Sequence, residues 1–88
     1  MQEKVHLVEN TNIVVRTDLV SAHPPTFRLT AVHPAGTMHE CSLTIGDADL
    51  VNITNIEEAQ KHLDVARESA AQMCHKKSIL NSLVAQLQ

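Results

Sequence analysis

Eighty-eight residues, 43% of them hydrophobic and 19% charged, are enough for one folded domain with a modest core and exclude a disordered tail. A formal charge of −3 and a single aromatic residue, Phe27, argue against nucleic acid, which calls for a basic face and, for single strands, exposed rings. No apolar run approaches the roughly 20 residues of a membrane span, and the opening residues lack a secretory pattern, so a cytoplasmic protein without membrane contact is expected.

Taken in chain order, Lys4 to Val8 is a short candidate strand followed by the polar turn ENTN. Ile13 to Val20 is a stronger one, rich in the β-branched residues that fit a pleated surface. The segment SAHPP interrupts it, because proline has no amide to give to a ladder. Thr26 to His33 alternates, with Phe27, Leu29 and Ala31 on one face and Arg28 and Thr30 on the other. Pro34 to Thr37 supplies a turn. Met38 to Ile45 alternates again, with Cys41, Leu43 and Ile45 opposite Glu40, Ser42 and Thr44. The expected result is a three- to four-stranded antiparallel meander with one wet face.

Past Thr54 the chain holds no proline or glycine. Thr54 to Glu57 matches a capping box, with Thr54 as the N-cap. Apolar or small residues then recur at alternating steps of three and four: Ile56, Ala59, Leu63, Ala66, Ala70, Met73, Leu80, Val84 and Leu87, with Lys77 taking one slot. Early acids and late lysines suit the helix dipole. The fold class is therefore α+β, a single domain over residues 1–88. Residues 1–53 form the sheet layer, and 54–88 form one long C-terminal helix that either runs through or bends or breaks near residues 75–78.

Length then becomes the informative quantity. A helix of that span is about 50 Å long at 1.5 Å per residue, whereas eight-residue strands reach about 27 Å. One small sheet cannot shelter the whole stripe. Met73, Ile79, Leu80, Leu83, Val84 and Leu87 are the candidate interface, with a second copy of the chain as the first expected partner.

Chemistry is sparsely signalled. His33 and His39 flank the loop PAGTM, and His39 shares a strand face with Cys41, so these three are the candidate ligands for a transition metal. The spacing lacks paired CxxC or HxxxH elements, and a buried cysteine with ordinary hairpin histidines is the plainer reading. Cys41 and Cys74 are expected as reduced thiols. Cys-His catalysis lacks any surrounding motif, two glycines rule out a phosphate loop, and Asp47 and Asp49 read as turn residues. No cofactor is implied. The leading expectation is a non-catalytic interaction protein: a homodimeric regulator or inhibitor that binds another protein. Its alternatives are a metal-binding protein using the hairpin residues and a small dimeric nucleic-acid regulator gathering Arg16, Arg28, Lys76 and Lys77. Six histidines raise the further expectation of pH-dependent assembly if several lie at a seam.

Overall fold

A computed structural model describes residues 2–88. Four strands, β1 (Gln2–Val8), β2 (Thr11–Ala22), β3 (Pro25–Val32) and β4 (Met38–Thr44), form one antiparallel sheet in the order β1-β2-β3-β4. A short helix α1 (Asp47–Leu50) and a long helix α2 (Ile56–Leu87) follow. The architecture is the expected α+β meander and helix.

Each turn has a local cause. Val8 pairs with Thr11, and between them Glu9 and Asn10 take φ of 49° and 66°, the two left-handed residues of a tight hairpin whose twist matches the strands. The Thr11 hydroxyl closes this turn by donating to the Val8 carbonyl at 2.7 Å. The second turn is shorter than SAHPP implies. Ser21 and Ala22 stay in β2, and Pro25 opens β3 at a strand's first residue, where the missing amide is tolerated. A register shift between Leu19 and Ser21 bulges β2 just before this turn. In the third turn the His33 amide donates to the Thr37 carbonyl and the Gly36 amide to the His33 carbonyl, both at 2.8 Å. Gly36 has φ of 100°, where a side chain is strained.

Helix α2 continues without a break through residues 75–78, as a stretch free of proline and glycine allows. Its start differs by one residue from the capping box expected at Thr54. Asn55 is the N-cap, extended at φ −158° and ψ 176°, and its side-chain oxygen accepts from the Glu58 amide at 2.9 Å. Thr54 lies one position too early to reach that amide.

The inner face of the sheet and one side of α2 make the core. Val8, Ile13, Val15, Leu29 and Ala31 meet Leu63, Ala70, Ala71 and Cys74, with Phe27, Cys41, Leu43 and Ala66 packed around them. Phe27, Leu29, Ala31, Cys41 and Leu43 face inward as predicted, whereas Ile45, expected with them, lies past the end of β4 and outside the core. Small residues at 70, 71 and 74 let the helix axis sit close to the strands. Cys74 is fully buried, and its thiol donates to the carbonyls of Ala31 and Thr37 at 3.6 and 3.3 Å.

The helical stripe departs from the expectation of one continuous face. Ile56, its first member, is 84% exposed, and Met73, Leu80, Val84 and Leu87 are all exposed as well. Sheet-facing positions run instead through Leu63, Arg67, Ala70, Ala71, Cys74 and Asn81, whose amide reaches the Thr37 hydroxyl at 3.4 Å. The reason is periodic. A pattern spaced three and four averages 3.5 residues, and on a straight helix it drifts about 20° per heptad. At 100° per residue Leu80, Leu83 and Leu87 stand about 100° to 160° round from Asn81, and drift over the four heptads from Ala59 supplies about 80° of that displacement. Ile56, in line with Cys74, owes its exposure to its place at the helix start. The chain is correspondingly elongated, 49 × 22 × 22 Å.

The cap assignment is testable by a pair of substitutions. Asn55→Ala is expected to destabilise the fold by about 1 kcal/mol in urea unfolding, and Thr54→Ala by a few tenths at most.

Candidate functional site

Among the described residues, three surfaces present apolar side chains to solvent. The first is the outer side of α2 near its end. Ile79, Leu80, Leu83, Val84 and Leu87 are between 48% and 78% exposed, and Met73 joins them one to two turns earlier. The sequence named all six. Met73, Leu80 and Leu87 lie seven apart, and Leu83 falls in the intervening d-type slot with Lys76 seven before it, so the row has coiled-coil spacing. Lys77 and Val84 flank the row. On the opposite side of the same turns, Cys74 and Asn81 hold the hairpin between β3 and β4.

A second surface was not legible in the sequence. On the outer sheet face, Val5 pairs with Val14, Val14 with Val32, and Val32 with Met38, so one apolar row crosses all four strands. Val5 and Met38 are more than half exposed. The neighbouring row is charged: Glu3, Arg16, Thr30 and Glu40 stand in register, and the Arg16 Nε donates to Glu3 at 3.3 Å. Alternation within single strands does not reveal such rows, because registration between strands creates them.

At the other end of the molecule lies a cleft of about 320 Å³, lined by Pro25, Phe27, Ile45, Leu50, Ile53, Ile56, Ala59, Gln60 and Leu63. The start of α2, Leu50 of α1 and Ile53 wall it, and its floor is Pro25 and Phe27 of β3 with Ile45 just past β4. Asp49 shapes the wall, since its Oδ2 accepts from the Gly46 amide at 2.9 Å. That contact is the turn role expected of this acid.

Polar contacts fasten α2 to the edge strand β1 and the turn after it in a ladder. Lys4 Nζ meets Asp64 Oδ1 at 3.0 Å, His6 Nδ1 meets Glu68 Oε2 at 3.1 Å, and Glu9 Oε2 meets His75 Nε2 at 3.1 Å. Behind this ladder Arg67, only 3% exposed, is fully engaged. Its guanidinium donates to the Thr17 hydroxyl at 2.9 Å, to Asp64 at 3.1 Å and to the Gln2 side-chain carbonyl at 2.6 Å. Such a charge tolerates burial because each of its three nitrogens has a partner. Arg67 therefore reads as a structural cation.

The candidate metal ligands are not assembled. The His33 Nδ1 accepts from the Ala35 amide at 3.0 Å, which spends that nitrogen on the turn. His39 and Cys41 do share the inner face of β4. Burial, with the Lys77 ammonium nearby, pulls the His39 imidazole below its ordinary pKa, and burial pushes the Cys41 thiol up, helped by Glu40. Burial likewise raises the Cys74 thiol, opposed by its hydrogen bond at the His33 backbone and by Lys77. Both cysteines stay protonated at neutral pH, unlike an activated nucleophile. Among the described residues no three His, Cys, Asp or Glu side chains are grouped to hold a metal ion. The cations named for a nucleic-acid face are also divided. Arg16 and Arg28 lie on the outer sheet face beside Glu3 and Asp18, whereas Lys76 and Lys77 lie on α2.

Against known proteins, no family model, no curated protein and no solved structure matches this chain.

The β1 ladder generates a pH prediction. The hydrogen bond from Lys4 holds the Asp64 carboxyl below its usual pKa, aided by Arg67 and Gln60 and opposed by burial. A depressed folded pKa contributes stability above the unfolded value near 4 and loses it as pH falls through the folded value. Asp64→Asn is expected to lower the urea midpoint at pH 7, with the gap to wild type closing below pH 4.

Proposed function

We propose that this chain is a non-catalytic interaction protein that self-associates through the end of α2 and acts by binding another macromolecule, as a regulator or inhibitor does. The observation that carries the reading is the row Met73, Leu80, Leu83 and Leu87 on the side of α2 that faces away from its own sheet. Leaving such a face in water costs about 25 cal/mol for each Å² of apolar surface. No rearrangement within one copy covers it, because Cys74 and Asn81 already fix the opposite side to the sheet.

A second copy fits this face in one orientation. Antiparallel pairing about a two-fold axis sets Leu80 of each chain against Leu83 of the other, and Lys76 beside the other helix's Leu87. There each lysine meets the last carbonyls of a helix, the end that favours cations. Parallel pairing would instead bring Lys76 and Lys77 of both copies together, and like charges in register repel. The six aliphatic side chains, extended by the two lysine stems, offer several hundred Å² per copy. A stable interface takes roughly 800 Å² from each partner, so this face makes a small one. The sheets then lie at opposite ends of the pair, with their outer faces and clefts open.

Binding another macromolecule, in preference to catalysis, agrees with the raised thiols and with titratable groups committed to the helix–sheet seam. The cytoplasmic expectation stands beside this reading and is independent of it.

Light scattering tests the core of the proposal. Wild-type protein is expected at the mass of two chains, and Leu83→Asp at the mass of one with an unchanged circular dichroism spectrum. Wild type remaining a monomer at high concentration would overturn the reading. Lys76→Leu, which fills the one polar slot of the seam, is expected to tighten self-association about tenfold, the worth of one buried aliphatic side chain at the seam edge.

A further inference from the structure

The cleft at the start of α2 is remote from the dimer seam and has a different character. Nine residues line it, and Gln60 is the one polar residue among them. A site for a small metabolite carries several placed polar groups that orient the ligand, and this one does not. Its volume of about 320 Å³ admits one or two large apolar groups, given that a cavity of about 150 Å³ suffices for benzene. The apolar character also spills over the mouth, where Leu50, Val51 and Ile56 are all more than half exposed.

Charge supplies the second half of the argument. The segment from Ile45 to Gln60, which forms most of the wall, contains Asp47, Asp49, Glu57 and Glu58 and no lysine or arginine. Glu58 is occupied by Lys61 at 3.0 Å, and Asp49 by the Gly46 amide. Asp47 and Glu57 have no ion-pair partner among the described residues, and both are exposed. An apolar slot whose wall segment carries four carboxylates and no lysine or arginine is complementary to one kind of protein segment: a large apolar anchor flanked by lysine or arginine. The slot supplies burial, and the rim supplies sign selection and steering.

We infer that this cleft is the docking site for a basic peptide segment of a partner protein, which inserts one or two apolar side chains between α1 and α2. The inference rests on reading the chain as a binding protein and is independent of its self-association, because the cleft and the seam lie at opposite ends of α2.

The test is a titration of full-length protein with a capped hexapeptide of Phe-Leu between two pairs of lysines, followed by methyl NMR. A control peptide carries glutamate in place of each lysine. Saturable shifts are expected at Leu50, Ile53, Ile56 and Leu63 with the lysine peptide, and none with the control. Asp47→Asn combined with Glu57→Gln is expected to weaken binding about fivefold, the effect of two exposed ion pairs of typical strength. Ala59→Leu, which fills the slot while keeping the charges, is expected to abolish the shifts, and its circular dichroism melt checks the fold. Equal binding of both peptides would overturn the charge argument. Shifts confined to Leu80, Leu83 and Leu87, or to Val5, Val14 and Val32, would overturn the site. No shifts at millimolar peptide would overturn the inference whole. The same experiment on the Leu83→Asp variant separates the two proposals, since the cleft is expected to bind whether the protein is one chain or two.

Discussion

A straight α-helix turns once every 3.6 residues, and a pattern that repeats every 3.5 cannot stay on one side of it. Supercoiled helices solve this by winding around each other, but a helix lying on a flat sheet has no such freedom. In this protein α2 is fixed on the sheet by Leu63, Ala70, Ala71 and Cys74, and the apolar row walks off the interface as the chain proceeds. The helix therefore has two roles along its length. Its first five turns close the core, and its last turns present a coiled-coil seam to whatever lies outside.

The grip on the sheet is asymmetric in a way that matters for that division. Toward β3 and β4 the contact is close and apolar, through small residues and the Cys74 thiol. Toward β1 it is polar, through the Lys4, His6 and Glu9 ladder with Arg67 beneath it. Two of those three rungs are histidines, charged only when protonated. One buried nitrogen on each of His6, His39 and His75 finds no partner among the described residues. Imidazoles fit here because one nitrogen can be left as a bare acceptor at lower cost than a buried ammonium.

With one aromatic residue, the core relies on aliphatic groups of modest size, and few of them are fully buried. A small sheet with a single covering helix leaves its other face in water. The row from Val5 to Met38 and the cleft beneath Ile56 are consequences of that economy. Apolar residues that a larger protein would cover with a further layer remain at the surface, concentrated by register and by the short α1 segment.

Much of this was legible in the residues themselves. Period-two alternation located β3 and β4 and their inward faces, because a pleated strand allows no other assignment of Leu29, Ala31, Cys41 and Leu43. The absence of glycine and proline after Thr54 determined a long helix, and simple length against strand reach showed that Ile79 to Leu87 lack cover. What one dimension does not contain is relative rotation and register. Which side of α2 meets the sheet is settled by partners far off in the chain: the strands packed on Leu63, Ala70, Ala71 and Cys74, and Thr17 and Gln2, 50 and 65 residues from Arg67. The rotation they set turned Met73 and Leu80 outward and Cys74 inward. The cap moved to Asn55 because a one-residue shift in helix start is decided by which side chain reaches a free amide. Strand registration alone aligned Val5, Val14, Val32 and Met38, and the cleft exists because Leu50, Ile53 and the start of α2 come together near Phe27. Local propensity thus fixed the elements and their outlying length, while the tertiary arrangement chose the faces, since a face exists only relative to what packs against it.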